Sequence, residues 1–324
     1  MKKVLILTDT KAGHENQSKA FARALGAEFD LVEVHFKSGF AKSLSYLFSR
    51  LGIHAGCLFR AAMRSSEAPK IPRSPEGNIY SAVIGTGSGT FYPAAVLAKK
   101  LGVPAGVVLY PRGYRLADYA CILAPAFDRP AAAANIVTIP VNLTATDDAF
   151  YAAGEKNFLA RHTPSAKPAV AVILGGPNKA ATMTAAWAKD VLAKVFAATE
   201  GCERWVTTSR RTPPEVEEVV DSFPFEYKLI YSKDHFNPIP AFVVRAKTLY
   251  VSAESTGMLS EAVTRGHAAV EVLDNFNLGA SKFRRFVDGL VAARAARYLG
   301  AADDAATKID LAPAFAQAKA LLGL

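Results

Sequence analysis

Four short segments gather residue types that transfer protons or hold anions. The first is Lys-Ala-Gly-His-Glu-Asn-Gln, residues 11–17, just after an apolar run that ends at Asp9. His14 is a base suited to neutral pH, and the carboxylates of Asp9 and Glu15 lie near it in sequence. Asn16 is expected to cap a helix, whose start offers free N–H groups to an anion. The second is Gly175-Gly176-Pro177-Asn178-Lys179. Its glycines let backbone approach a phosphate, and Lys179 adds a point charge; the spacing of a P-loop is absent. The third is Ser209-Arg210-Arg211-Thr212, with Thr212 expected to cap a helix and Glu215 to close a capping box. The fourth runs Glu254-Ser255-Thr256-Gly257 into a helix carrying Ser260 and Glu261. Its hydroxyls suit a phosphate, and its carboxylate one turn on suits a ribose diol. Each segment also has a plain reading: caps, ordinary turns, solvated arginines and a packed histidine.

These segments need strands and helices to position them. Short apolar runs such as KVLILT, FDLVEVHF, YSAVIGTG, PAGVVLY and YACILAP alternate with helical patterns. A second series follows: PAVAVILGG, ERWVTTS, EYKLIYS, AKTLYVSA and AAVEVLD. Near-continuous apolar strands between helices predict parallel sheets covered on both faces. The chemistry-bearing segments then fall at carboxyl ends of strands, where such sheets bind ligands. The polar helical stretch near 143–167 reads as a linker between domains 1–150 and 151–324, and the last helix is free to pack on either. Gly85, Gly87 and Gly89 fit a dinucleotide fingerprint poorly, because Gly89 comes one residue too early.

A chain of 324 residues suggests about two domains. No apolar run reaches the ~18 residues of a membrane span, and Asp9 interrupts the opening run, so a cytoplasmic location is expected. Cys57, Cys121 and Cys202 form neither a disulfide framework nor a zinc pattern. The net charge of +9 is mostly N-terminal: residues 1–150 carry 17 basic and 11 acidic groups. From 34 to 66 there is no acid, while Lys37, Lys42, Arg50, Arg60 and Arg64 interleave with aromatic and aliphatic residues. Such a stretch suits an anionic membrane surface, or equally a core-facing helix pair with a solvated basic face.

Together, KAGHENQ, GGPNK, TTSRRTPPE and ESTGMLSEA…KFRRF resemble the mitochondrial-fission Elm-type family in order and position. Its bacterial members are classed as candidate glycosyltransferases of the GT-B fold. The resemblance spans nearly the whole chain. It implies an α/β protein with two Rossmann-like, doubly wound parallel-sheet domains facing across a cleft. The N-terminal domain would take the acceptor and the C-terminal domain the nucleotide-sugar. The chain departs from the family pattern at three places: Thr10 follows Asp9 where a glycine is usual, Pro177 precedes Asn178-Lys179 in place of an aspartate, and Gly257 replaces a hydroxyl residue.

The expected function is a metal-independent glycosyltransferase with no cofactor, moving a sugar from a nucleoside-diphosphate sugar to a lipid-linked or cell-envelope acceptor. His14 would be the base, supported by Asp9 and Glu15. The nucleotide-sugar would meet Gly175, Gly176, Asn178, Lys179, Ser209, Arg210, Arg211, Glu254, Ser255, Thr256, Ser260, Glu261 and Lys282. The acceptor would meet Lys11, Gly13, Asn16, Gly87, Ser88 and Arg112. No nucleic-acid partner is expected, and residues 34–66 would place the protein peripherally on the inner membrane or on a lipid-linked glycan. The alternatives are a nucleotide-sugar epimerase, which needs acid/base carboxylates such as Asp9, Glu15 or Glu254, and a non-catalytic membrane-associated adaptor.

Overall fold

A computed structural model describes residues 2–54, 79–144, 147–302 and 307–324. Two compact units divide the chain: Met1–Ala145 with Leu311–Leu324, and Thr146–Asp310. Each described unit carries one six-stranded parallel sheet.

The first sheet contains β1 (Lys3–Thr8), β2 (Glu28–Glu33), β3 (Ala82–Thr86), β4 (Ala105–Val108), β5 (Cys121–Pro125) and β6 (Ile136–Ile139). Their spatial order is β2-β1-β3-β4-β5-β6. The chain therefore moves one way from β1 to β2 and the other way from β3 onward. The direction reverses between β1 and β3, and at such a reversal the strand-end loops part and leave a crevice. Strand β1 shows why it lies inside: Leu5 and Leu7 face one core cluster while Val4 and Ile6 face the other. Helices α1 (Ala12–Ala24), α2 (Gly39–Arg50) and α3 (Phe91–Leu101) cover the sheet, and α3 ends on Gly102 at φ 68°. The last helix, α10 (Ala312–Leu322), belongs to this unit: Ala318 and Leu322 pack with Phe21, Cys121 and Leu123.

The second sheet contains β7 (Ala169–Ile173), β8 (Glu203–Thr207), β9 (Tyr227–Leu229), β10 (Thr248–Ser252), β11 (Ala269–Leu273) and β12 (Arg297–Tyr298). Its order is β12-β11-β10-β7-β8-β9. Counted from β7 this is the 3-2-1-4-5-6 arrangement of doubly wound nucleotide-binding sheets, reversing between β7 and β10. Its helices are α4 (Asp148–Leu159), α5 (Ala185–Ala198), α6 (Pro214–Ser222), α7 (Ile239–Arg245), α8 (Thr256–Thr264) and α9 (Lys282–Ala292). Asp147 caps α4 through the N–H of Phe150, and Ser281 caps α9 through that of Arg284. Every strand expected from an apolar run is present. β12 has only two residues and no apolar run, so periodicity did not point to it.

Two expected caps are absent. α1 begins at Ala12, so Asn16 lies inside it, exposed, and Lys11 is the capping position without a side-chain bond. The turn is instead closed from upstream: Thr8 Oγ1 accepts from the N–H of Thr10, and Asp9 from that of Lys11. Likewise Pro213, not Thr212, stands at the cap of α6. The Thr212 hydroxyl is drawn to the neighbouring loop, where it accepts from Ser209 N–H and donates to Gly175 O.

Candidate functional site

At the reversal of the first sheet, His14 sits in the first turns of α1 and Asp9 at the end of β1. His14 Nδ1 lies 3.0 and 3.1 Å from the two carboxylate oxygens of Asp9. Lys11 Nζ reaches the same carboxylate at 2.7 Å. The side chain of Asp9 is 8% exposed and that of His14 25%, so the carboxylate lies beneath the imidazole. Burial pushes the Asp9 carboxyl up, but the bonds from Lys11 and His14 outweigh it and hold it below its ordinary value. An ionised Asp9 fixes a proton on Nδ1 and leaves the Nε2 lone pair free to accept one.

The β3–α3 loop closes round this pair. Gly87 adopts φ 83°, and a Cβ there would stand 2.9 Å from His14 Nε2. A Cβ on Gly89 would stand 2.9 Å from Asp9 Oδ2. Only glycines let the loop come this near. Ser18 and Thr86, both buried, hydrogen-bond at 2.6 Å and tie α1 to the end of β3. Thr10, where the family pattern has glycine, sits at φ 63°, a left-handed conformation that disfavours a β-branched side chain. Glu15 takes no part in the pair: its carboxylate accepts from Thr8 Oγ1 and Lys19 Nζ. Gly13 and Asn16 are exposed, and a Cβ on Gly13 would meet open space. Ser88 accepts from Lys42 Nζ, while Arg112 donates to Asp128 O and lies over the Tyr110 ring.

The reversal of the second sheet is built differently. The loops after β7, β8 and β10 are knitted together below the surface. Glu254 is 2% exposed; its carboxylate accepts from Gly176 N–H at 2.8 Å, Ser252 Oγ at 3.1 Å and Asn275 Nδ2 at 2.7 Å. Ser209 Oγ donates to Gly175 O at 2.7 Å. A Cβ on Gly175 would strike the Glu254 carboxylate, and one on Gly176 the Arg211 carbonyl. These glycines serve loop-to-loop packing, and Glu254 holds the Gly-Gly turn from beneath. Ser260 is fully buried and bonds back to Thr256 O. Asn178 Oδ1 accepts from Ala180 N–H in a local turn.

What faces outward at this end is basic. Lys179, Arg210 and Arg211 are exposed, and none forms a salt bridge with a described acid. Ser255 opens α8 without a side-chain cap bond. The N–H of Ser255 donates to Ser252 O and that of Thr256 to Glu254 O, and the two hydroxyls stand at this helix start. Glu261, one turn on, accepts from Tyr151 OH at 2.9 Å. Burial raises its carboxyl against the opposing pull of Tyr151 and Arg265. Lys282 opens α9 and lies over the Phe283 ring. Sequence reasoning missed Thr8, Ser18, Thr86, Ser252, Asn275 and Tyr151. The available signal was a polar residue at the end of an otherwise apolar strand, as at Thr8, Thr86 and Ser252.

Of the basic stretch 34–66, residues 55–66, with Cys57, Arg60 and Arg64, lie outside the described residues. Helix α2 is neither simply core-facing nor simply basic outside. Tyr46 and Phe48 pack inward, and Ser45 and Ser49 are buried beside them. Phe40, Leu47 and Leu51 are exposed, at 74%, 50% and 63%. Among the described residues no helix is long and apolar enough to cross a membrane.

A Rickettsia prowazekii protein, "Uncharacterized protein RP120", is 30% identical over 147 residues, 43% of this chain and 41% of its own length, so the match spans under half of that relative. Among solved structures, S. aureus MnaA with UDP is similar at 12% identity and TM-score 0.47, covering 98% of this chain and 91% of that one. Acinetobacter baumannii MurG is similar at 12% identity and TM-score 0.47, covering 92% and 85%. The Neisseria meningitidis UDP-GlcNAc 2-epimerase bound to UDP-GlcNAc is similar at 12% identity and TM-score 0.46, covering 92% and 87%. The model of the mitochondrial fission ELM1 family matches residues 12–322, so the chain belongs to that family.

Proposed function

We propose that the chain is a glycosyltransferase that takes its sugar from a nucleoside-diphosphate donor. The observation that carries this reading is the contrast in chemistry between the two sheet reversals: a carboxylate-oriented histidine at one, unmatched cations at the other. His14 Nε2 removes the proton of an acceptor hydroxyl as its oxygen attacks the sugar carbon. Asp9 keeps the imidazole in the accepting tautomer and stabilises the imidazolium that forms. The bond from the sugar carbon to the diphosphate breaks, and negative charge collects on the leaving group. Lys179, Arg210 and the start of α8 at Ser255 and Thr256 meet that charge. Glu261 orients the ribose hydroxyls.

An epimerase would need free acid/base carboxylates, and Asp9, Glu15 and Glu254 are each engaged with neighbours. The exposed apolar stripe of α2, flanked by Lys37 and Arg50, favours a second, compatible role: contact with an anionic membrane surface that carries a lipid-linked acceptor. The same stripe would serve an adaptor, but an adaptor has no use for the oriented His14.

A thermal-shift panel of UDP-, GDP-, CMP- and dTDP-sugars tests the donor. A ligand at 100 times its Kd stabilises by ~2.7 kcal/mol. Stabilisation by a UDP-, GDP- or dTDP-sugar, with slow release of its nucleoside diphosphate, is the expected result. No shift with any member of the panel overturns the reading.

A further inference from the structure

The second unit holds a cavity of about 470 Å³ at the other end of its sheet, by the amino ends of β7 and β10. Cys202 lines it, partly exposed, in the turn between α5 and β8. Lys194, Lys247 and Arg297 line it too, against one described carboxylate, Glu271. Arg297 is paired with Glu271 at 2.5 Å, and Lys194 with Asp190 outside the lining at 2.7 Å. Lys247 is exposed and has no acidic partner among the described residues.

Tyr250 supplies an independent pointer to a ligand. It is 3% exposed and lines the same cavity, among Cys202, Glu271 and Arg297. Its hydroxyl bonds no other described residue and is not sealed off in the core, so it opens into the cavity, where a ligand can accept from it. Burial pushes it up to about 12, so it stays a hydrogen-bond donor at neutral pH. A hydroxyl donor open to the cavity, a cation unmatched among the described residues and a thiol thus share one space of small-molecule size.

We propose that this cavity is a thiol-modification site, in which Cys202 exchanges with small disulfides that carry carboxylates. A carboxylate of the incoming disulfide is drawn by Lys247 and accepts from Tyr250. Cys202 loses its proton to solvent, and its thiolate attacks the nearer sulfur. A new S–S bond forms to Cys202, the old S–S bond breaks, and the other half leaves as a thiolate. The two electrons that oxidise Cys202 are those that reduce the departing half. A positive charge at Lys247 favours the anionic reagent over a cationic one. Cys121 is the internal contrast: it is fully buried, and burial pushes its thiol up to about 12.

The test uses the full chain, carrying Cys57→Ser so that a thiol outside the described residues does not confuse the reading. Reduced protein is treated with glutathione disulfide, which is anionic, or with cystamine, which is cationic, and adducts are mapped by mass. The expected result is a reducible adduct on Cys202 and none on Cys121, formed several-fold faster with glutathione disulfide. Lys247→Ser should erase that preference, and Tyr250→Phe should slow only the anionic reagent. No adduct on Cys202, or equal rates for the two disulfides in the protein with Lys247 intact, overturns the proposal.

Discussion

The two sheet reversals differ in how their charges are matched. At the first, between β1 and β3, the charges cancel locally: Asp9 sits between Lys11 and His14, and Glu15 between Thr8 and Lys19. What remains open there is a single ring nitrogen of defined tautomer. At the second, between β7 and β10, the buried carboxylate of Glu254 is held by neutral donors and meets no cation among the described residues. Glu254 and Asn275 hold the Gly-Gly turn, and Lys179, Arg210 and Arg211 are left above it without carboxylates. A pre-oriented imidazole suits proton transfer, and unmatched cations suit a diphosphate. One topology, used twice, thus yields two chemistries through the few residues that follow its central strands.

The comparison breaks most sharply at Asp9. Asp9→Asn keeps the shape but offers His14 an amide, which no longer enforces the Nδ1–H tautomer. Turnover with the identified donor should fall by ~10²–10⁴, with donor affinity unchanged in the same assay. Unchanged turnover would mean that the first reversal holds no base.

The next largest effect concerns acid stability in the second unit. Glu203, 2% exposed, is pushed up by burial, but bonds from Ser165, Trp205 and His162 outweigh this and bring it down to about 2. Its folded pKa lies below the ordinary 4.5, so its contribution is complete above pH 4.5 and is lost as pH falls toward 2. That contribution is ~3 kcal/mol at neutral pH. Trp205 donates to Glu203, and both tryptophans lie in this unit, so tryptophan fluorescence reports it directly. Glu203→Gln should flatten the stability profile over that window; an unaltered profile contradicts the assignment.

Smaller effects sharpen the first reversal. Thr10→Gly relieves a left-handed β-branched residue and should raise stability by ~1 kcal/mol in chemical denaturation. A loss of stability would show that the Thr10 hydroxyl matters more than the strain. Asn16→Ala should change stability by less than ~0.5 kcal/mol, because Asn16 is an exposed helix-interior residue rather than a cap. A loss of ~1 kcal/mol would restore the capping role.

How much of this was legible in the sequence depends on range. Strand ends and the loops after them stand out, because apolar runs stop abruptly at Asp9, Gly175, Thr208 and Ala253. The grouping of His14 with Asp9 was visible as a possibility, since five residues separate them; its preference over Glu15 was not. Glu15 faces Lys19 one helical turn away, and that follows only once α1 starts at Ala12. The burial of Glu254 was hidden because it depends on Ser252, Gly176 and Asn275, brought together by β7 and β10 pairing. The same holds for Tyr151 on Glu261, 110 residues apart. The Gly usual at position 10 was a clue to backbone shape, and the φ of Thr10 gives its reason.

The division of labour between the two reversals is tested most directly by calorimetric titration of one nucleotide-sugar into three proteins: wild type, His14→Ala, and the double variant Lys179→Ala/Arg210→Ala. The account predicts wild-type affinity for His14→Ala and, for the double variant, affinity weaker by ~1–3 kcal/mol per lost charged bond, with all three equally folded. Equal affinity in all three, or a loss confined to His14→Ala, would contradict it.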